Sequence, residues 1–556
     1  MTSHETMLHQ HVPSSRNLSL DSAGHVKSLA GVDLQKWNSG EICSISQWTP
    51  ARECSLSTHQ PVAVEMYWTP LLFSHLAAAI FSDGRSQGLA QINGTADSCI
   101  SSPQQAGCKT EWLIKDPIYP SAVLRIKKAD TKLGHVCEGA GSGYTGYLSF
   151  DHDKRTIYFI FFESQSKPLE DPVAIWMQGG PGASSLPFGL LAEHGPCLID
   201  GTSTKTNPYS WNKFANMIYV DQPAGTGFSF STTADPRDTT SQVADDMVML
   251  LHLFYQAFPG LKKNPLHLTG ESYAGKWIPP LAKKVLDANK KYKKANHIPL
   301  SSIVIGGGYL NAAVQDPTIY DYACLKPHPI VKTLVNATAC ASMSVAATHC
   351  KALWAKYTRL GGKKGRAARQ AAEEALHACY RELYPAIRES GTDMYLVSRH
   401  CSDKSGDCDP KSSLAEQYLQ RSEVAAAFGA DSGVFHAFND KIQTPTEYSG
   451  DEGLDTGPTV AGLLDAGIPV LIYSGLLDAR VPFVGSMAVL DQLVWSGSDQ
   501  FKAAQNAPFG WSGGVKWGAK NLLYVLFEKA GHLVPRDDPV NAFQLLKGWL
   551  DGTLMR

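Results

Sequence analysis

No C-x2-C pair occurs among the twelve cysteines of this 556-residue chain, so the zinc ribbons and thioredoxin-type redox sites that need that spacing are excluded. Charge is scarce, at 18% of residues, and nearly balanced, with 50 Lys+Arg against 52 Asp+Glu. A net charge of −2 leaves no electrostatic footprint for nucleic acid or for an anionic membrane surface. Also missing is an apolar run long enough to span a bilayer, and Met1–Pro61 lacks even the short apolar region of a signal peptide.

What is present points to an oxidising compartment, where twelve cysteines serve as disulfides rather than as free thiols. The 48 glycines and 32 prolines describe a loop-rich globular protein. From Met66 to Phe81 a short apolar run ends in small and polar residues, and it reads as a signal peptide over residues 66–90 with cleavage near Gly88 to Gln91. Residues 1–65 then read as an upstream, non-mature extension. They would remove Cys43 and Cys54 and leave ten cysteines, an even number. Sequons at Asn93-Gly94-Thr95 and Asn336-Ala337-Thr338 fit the same secretory route, whether to the outside or to a vacuole or lysosome, while Asn17 falls in the discarded part.

From about Gly146 onward, short apolar runs alternate with longer amphipathic stretches, which predicts an α/β fold. Strands are expected at Thr156–Phe162, Val173–Met177, Asn216–Val220, Leu266–Thr269, Ile303–Ile305, Pro469–Tyr473 and Asn521–Phe527. Several lack polar alternation, as strands covered on both faces do. Residues 311–422 differ: they are rich in Lys, Arg and Ala and carry Cys324, Cys340, Cys350, Cys379, Cys401 and Cys408. They read as an inserted helical cap stapled by disulfides. Cys401 and Cys408 are close enough to pair locally, and the other pairings stay open. The catalytic domain is then 91–310 together with 423–556. Three motifs are decoys. Gly141-x-Gly143-x-x-Gly146 has no strand before it and a strand pair after it, Gly306-Gly307-Gly308 suffices for a tight turn, and Asp403, Asp407 and Asp409 lack the frame of a calcium loop.

The strongest local signal is Leu266-His267-Leu268-Thr269-Gly270-Glu271-Ser272-Tyr273-Ala274-Gly275, an apolar strand running through a small-residue turn into an amphipathic helix. It predicts a nucleophile elbow, with Ser272 strained and exposed above the sheet and with Gly270 and Ala274 small because larger side chains would collide. A serine hydroxyl needs an adjacent base, which itself needs an orienting carboxylate. The α/β-hydrolase order is Ser, acid, His. Here the run Pro469–Tyr473 leads to Asp478 and the run Asn521–Phe527 leads to His532, both in strand-end loops where such a fold presents its chemistry.

Five blocks then resemble, in order, those of the serine carboxypeptidase family: Trp176-Met177-Gln178-Gly179-Gly180-Pro181-Gly182, Ala192-Glu193-His194-Gly195-Pro196, Asp221-Gln222-Pro223-Ala224-Gly225-Thr226-Gly227-Phe228-Ser229, Gly270-Glu271-Ser272-Tyr273-Ala274-Gly275 and Gly531-His532-Leu533-Val534-Pro535. The resemblance runs from about Tyr144 to Leu550. It implies an α/β-hydrolase fold with a mixed, mostly parallel central sheet and an inserted cap. It also implies Ser272 as nucleophile, His532 as base and Asp478 as its orienter, with the N–H groups of Gly180 and Tyr273 as oxyanion hole. Gln178, Gly179, Glu193 and Glu271 would hold the free C-terminal carboxylate of a peptide. Two buried glutamates cannot both ionise easily, so activity is expected to be favoured at acidic pH. No metal and no cofactor is implied.

The chain also departs from the family's pattern. Gln178 stands where Asn is usual, Ala183 replaces a usual Cys with no cysteine after Cys408 to pair with it, and Leu476 replaces the first Asp of a G-D-x-D block. These departures bear on the substrate rather than on the catalytic apparatus. The alternative to a carboxypeptidase is an acyltransferase that uses the same triad. Retention of both Glu193 and Glu271 leans towards peptides, because acyl esters have no C-terminal carboxylate to hold. Arg480 and the cap are expected to shape the side-chain pockets, although Arg480 equally fits a solvent-facing position.

Overall fold

The computed structural model describes residues 111–555, apart from 130–131, 151–153, 233–236, 326–333, 363–364, 432–434 and 506–508, together with a few short strands before residue 111. Met1–Arg85 is a separate unit in which Ser19–Leu20, Val26–Leu29 and Val32–Asp33 pair in antiparallel fashion. The expected leader at 66–90 and the sequons at Asn17 and Asn93 lie outside the described residues.

The larger unit is built on a 14-stranded mixed sheet. At its centre six strands run parallel in the spatial order Leu522–Phe527, Val470–Gly475, Leu300–Gly306, Leu266–Glu271, Val173–Met177 and Asn216–Asp221. Antiparallel strands flank them: Gly514–Ala519 on one side, and Arg155–Phe162, Gly143–Phe150, Ala122–Lys128 and Glu111–Ile114 in succession on the other. All seven expected strands are present. The antiparallel flank is broader than the sequence reading, which missed the strands before Gly143.

The central strands are apolar throughout because both faces are covered. Along Val173–Met177, Val173, Ile175 and Met177 enter the core beneath the helices Thr240–Ala257 and Ala274–Lys291, while Ala174 and Trp176 enter a second core beneath the helix Pro539–Leu550. That split is the period-2 geometry of a strand read on two apolar faces. Thr239 and Gln242 form a capping box that starts the helix Thr240–Ala257.

Between the strands Leu300–Gly306 and Val470–Gly475 the chain is mostly helical. Ala337–Arg359 and Arg366–Glu389 pack side by side, joined by the disulfide Cys350–Cys379. The second helix buries Ala368, Ala371, Ala372, Ala375, Leu376, Cys379, Leu383 and Ile387, a stripe at three- and four-residue spacing. Cys401–Cys408 pair as expected, and Cys324–Cys340 and Cys137–Cys197 complete the disulfides among the described residues. Asn336 is exposed, and its side chain caps the helix Ala337–Arg359 by accepting from Ala339 N–H. Among the described residues no helix is long and apolar enough to cross a membrane.

One buried ionic cluster ties a flanking strand to the first helix. Arg155 Nη1 donates to Asp246 Oδ2 at 2.9 Å, and Arg237 adds Nε and Nη2 at 3.0 and 3.1 Å. The Asp246 side chain is 1% exposed and Arg155 9%. Removing one member of such a cluster leaves buried charge without compensation, so Asp246→Ala should cost about 3 kcal/mol of unfolding free energy, read as a lowered urea midpoint. A cost within about 1 kcal/mol would show that the cluster behaves like a surface pair.

Candidate active site

Ser272 follows the strand Leu266–Glu271 and has φ 62°, in the left-handed region that a non-glycine residue enters at a cost of about 1–3 kcal/mol. Its own backbone hydrogen bonds hold it there. Ser272 N–H donates to Gly306 O at 2.9 Å, and Ser272 O accepts from Gly275 N–H at 3.0 Å and Tyr309 N–H at 2.9 Å. The expected crowding is present: a Cβ on Gly270 would lie 2.2 Å from Met177 O and 2.8 Å from Ala274 Cβ.

His532 and Asp478 arrive from two other strand ends and meet with His532 Nδ1 2.7 Å from Asp478 Oδ2. The other carboxylate oxygen is engaged by its own loop, accepting from Arg480 N–H at 2.7 Å and Val481 N–H at 2.8 Å. An ionised carboxylate only accepts, so the imidazole proton must sit on Nδ1, which leaves Nε2 a base. Gly307 joins this pair to the elbow. It follows the residue whose carbonyl holds Ser272 N–H, it has φ +48°, and a Cβ there would lie 3.1 Å from His532 Nδ1 and 3.4 Å from Asp478 Oδ2. The sequence reading treated Gly306-Gly307-Gly308 as a tight turn, so the contact with His532 and Asp478 was missed.

The insertion supplies a brace that no motif announces. Met394 O accepts from Ala479 N–H at 2.9 Å, Val397 N–H donates to Leu477 O at 3.0 Å, and Tyr395 O accepts from His532 N–H at 2.7 Å. One short segment therefore holds both the aspartate loop and the histidine loop. Buried Asp393 shapes that segment, accepting from Tyr395 N–H at 2.8 Å and from Arg399 Nη1 at 2.9 Å. Asp403, Asp407 and Asp409 belong to the same region and do loop work. Asp403 accepts from Ser405 N–H, Asp407 from Asp409 N–H, and Asp409 caps the helix Pro410–Leu419 and pairs with Arg399 and Arg536. Two groups with metal-ligand spacing, Asp316 with Cys350 and Cys379 and Asp393 with Cys401 and Cys408, place their sulfurs in disulfides, which are not thiolate ligands.

Gly179 and Gly180 pass directly over the elbow, where a Cβ on Gly179 would lie 2.4 Å from Tyr273 N and 2.8 Å from Ser272 Cβ. Among the turn and cap hydrogen bonds of the described residues, neither Gly180 N–H nor Tyr273 N–H is a donor. Around Ala183, backbone hydrogen bonds tie this loop to residues 437–439: Ser184 N–H to Ala437 O at 2.9 Å and Asn439 N–H to Gly182 O at 3.0 Å.

Beneath this loop lies a buried polar chain. Trp176 Nε1 donates to Gln178 Oε1 at 2.8 Å, which turns the amide so that Gln178 Nε2 donates to Glu271 Oε1 at 2.6 Å. Glu271 is 0% and Glu193 2% exposed, and Glu193 sits in the last turn of the wide helix Leu186–His194. Both Glu193 oxygens and Glu271 Oε2 are buried without a hydrogen-bond partner as carboxylates. Burial raises both carboxyls above the ordinary glutamate range; the charge of Glu193 raises Glu271 further, while Arg536 opposes the shift on Glu193. A proton held between the two carboxyls partners two of these three oxygens, since a protonated carboxyl donates where a carboxylate only accepts.

A cavity of about 200 Å³ opens beside Ser272, lined by Gly180, Tyr273 and residues of the cap. Arg480 lines it rather than facing solvent: its guanidinium lies 4.6 Å from the Tyr380 ring and 5.2 Å from the Tyr384 ring, and Nη1 donates to the Tyr384 hydroxyl at 3.1 Å. Gly307→Ala should lower kcat/KM about a hundredfold or more through displacement of the imidazole, measured by steady-state kinetics on protein whose circular dichroism is unchanged. Full activity in that variant would remove Gly307 from the site.

Residues 138–552 match the family model described as serine carboxypeptidase. The chain is 31% identical over 451 residues to carboxypeptidase Y of Schizosaccharomyces pombe, covering 78% of this chain and 43% of that one. It is 30% identical over 447 residues to carboxypeptidase Y of Komagataella phaffii, covering 80% and 82%. To the vacuolar serine-type carboxypeptidase ATG42 of Saccharomyces cerevisiae it is 31% identical over 460 residues, covering 79% and 86%. Among solved structures, the prohormone-processing carboxypeptidase Kex1 of Saccharomyces cerevisiae superposes with a TM-score of 0.63 at 21% identity, over 76% of this chain and 94% of that one, which shows a common α/β-hydrolase fold.

Proposed function

The chain belongs to the serine carboxypeptidase family and is a serine-type carboxypeptidase, and from that premise we propose which residues carry the reaction and how they select a chain end. Ser272 Oγ attacks the carbonyl carbon of the last peptide bond while His532 Nε2 takes its proton. Asp478 holds the imidazole in the required tautomer and stabilises the imidazolium. The oxyanion settles on Gly180 N–H and Tyr273 N–H, each worth about 3 kcal/mol of barrier. The imidazolium then gives its proton to the leaving amine, and the C-terminal amino acid departs. Water, deprotonated by the same Nε2, opens the acyl-enzyme and restores Ser272.

The observation that carries the exopeptidase reading is the buried Glu193–Glu271 pair, three of whose oxygens have no partner as carboxylates, which favours holding a proton. Such a pair, with the Gln178 amide and Gly179 N–H, suits a substrate carboxylate, to which the protonated glutamate donates. An ester or an internal peptide bond has no such group to offer. The relatives are carboxypeptidases by name, which does not favour the acyltransferase alternative. The disulfides and the vacuolar relative support a place in the secretory pathway, ending in a vacuole or lysosome or outside the cell.

Ser272→Ala should abolish release of the last residue from N-blocked dipeptides while leaving the thermal unfolding profile intact; an unaffected rate would refute the nucleophile. Because burial raises both glutamates, the pair keeps its proton in mild acid and loses it as pH rises through the raised range. The two carboxylates then repel the substrate's C-terminus. Accordingly kcat/KM on dipeptides should fall from mild acid towards alkaline pH, and Glu271→Gln or Glu193→Gln should weaken dipeptide cleavage in acid more than cleavage of the matching peptide amides. Equal losses on acids and amides would argue against a carboxylate clamp.

A further inference from the structure

The cavity beside Ser272 contains a buried carboxylate with no partner. Glu452, in the turn Asp451–Gly453, lines that cavity and is 7% exposed, yet no hydrogen bond or ion pair reaches its carboxylate among the described residues. Most of the other charged groups close to it are engaged. Asp316 accepts from the Tyr309 hydroxyl at 2.8 Å and from Trp354 Nε1 at 3.0 Å, and Glu447 accepts from Gln443 Nε2 at 2.7 Å. The Lys276 ammonium donates to the carbonyl oxygens of Leu310 and Leu454, and Arg480 stacks on two tyrosines. Two further basic side chains line the same cavity, His377, 3.9 Å from Glu447, and Arg381, so the lining carries both signs and Glu452 is the carboxylate in it that no side chain engages among the described residues. Burial first, then Glu447 and Asp316, push its carboxyl up to about 8, with Lys276 opposing. A buried carboxyl without a partner is costly in its ionised form, and an incoming cation removes that cost.

The cavity's position says which substrate residue reaches it. Gly180, Ser272 and Tyr273 line it, whereas Gln178, Gly179, Glu193 and Glu271 do not. Taking the carboxylate clamp as proposed above, on which this step rests, the departing residue lies over the glutamate pair. The residue on the other side of the scissile bond, whose carbonyl forms the acyl-enzyme, faces the cavity. We propose that Glu452 makes this cavity a pocket for a cationic side chain, lysine or arginine, on that acyl-forming residue. Leu376 and Val481, which line the same cavity, suit the aliphatic stem, and Glu452 takes the charged end.

The test compares N-blocked dipeptides that all release leucine and differ in the preceding residue: lysine, norleucine, which keeps the stem without the ammonium, and glutamate. The ratio of kcat/KM for lysine to that for norleucine, read in the unaltered chain from mild acid to about pH 8, should rise with pH as Glu452 gives up its proton and reach about tenfold or more, and Glu452→Gln should hold it at about one throughout. A ratio near one in the unaltered chain, a ratio preserved in Glu452→Gln, or a preference for glutamate, which would make Arg480 the selecting residue, overturns the proposal. The same three peptides are titrated calorimetrically into Ser272→Ala, which reads the pocket without cleavage. Tighter binding of the lysine peptide than of the norleucine peptide supports the proposal, and equal affinities overturn it. Failure of the unaltered chain to cleave any of the three counts against the carboxypeptidase reading itself, while the titration still decides the pocket.

Discussion

The 2.7 Å contact between His532 Nδ1 and Asp478 Oδ2 is the interaction on which the proposed reaction depends, because it decides the imidazole tautomer and leaves Nε2 free to act as the base for Ser272. The two residues reach each other from different strand ends, and neither loop is held by the sheet alone. Backbone atoms of Met394, Tyr395 and Val397 bond to Ala479, His532 and Leu477. The insertion is therefore part of the catalytic framework as well as a cover over it. Its apolar core includes Leu477 and Ala479, the two neighbours of Asp478, so loosening the helices above would loosen the aspartate.

The same economy governs the electrostatics. In a chain with so little charge, several carboxyls are nevertheless buried around Ser272, and they differ by what surrounds them. Asp478 is supplied with two N–H donors and the imidazole. Glu193 and Glu271 are both buried, and the only hydrogen bond to either carboxylate among the described residues is that from the Gln178 amide to Glu271. Glu452 stands without a partner in the cavity that Ser272 also lines. Arg536, itself buried between Asp409 and Asp537, tempers the pair by its charge without a hydrogen bond to either glutamate. A folded chain keeps such costly groups where their mismatch with water serves binding or catalysis.

Legibility followed range. The central strands could be read because burial on both faces writes an unbroken apolar run, and the elbow because a strained turn demands small residues at fixed offsets. Ala122–Lys128 was missed although its burial alternates, since its exposed positions carry Arg and Lys and it lies in a hairpin region with no motif. Cys401 and Cys408, seven residues apart, declared their pairing, whereas Cys137–Cys197 and Cys350–Cys379 needed the fold to bring their partners together. Gly307 looked like turn material, and only its neighbours show that it leaves room for the imidazole.

The sequence by itself determined the elbow around Ser272, the strand ends that lead to Asp478 and His532, and the order in which these residues follow one another, because each depends on residues adjacent in the chain. Only the tertiary structure decided which carboxyls are dry and which have partners. Asp451-Glu452-Gly453 reads as an ordinary acidic surface turn until the cap folds over it. Burial and the field of distant charges are sums over the whole molecule, and no local pattern of residues records such a sum.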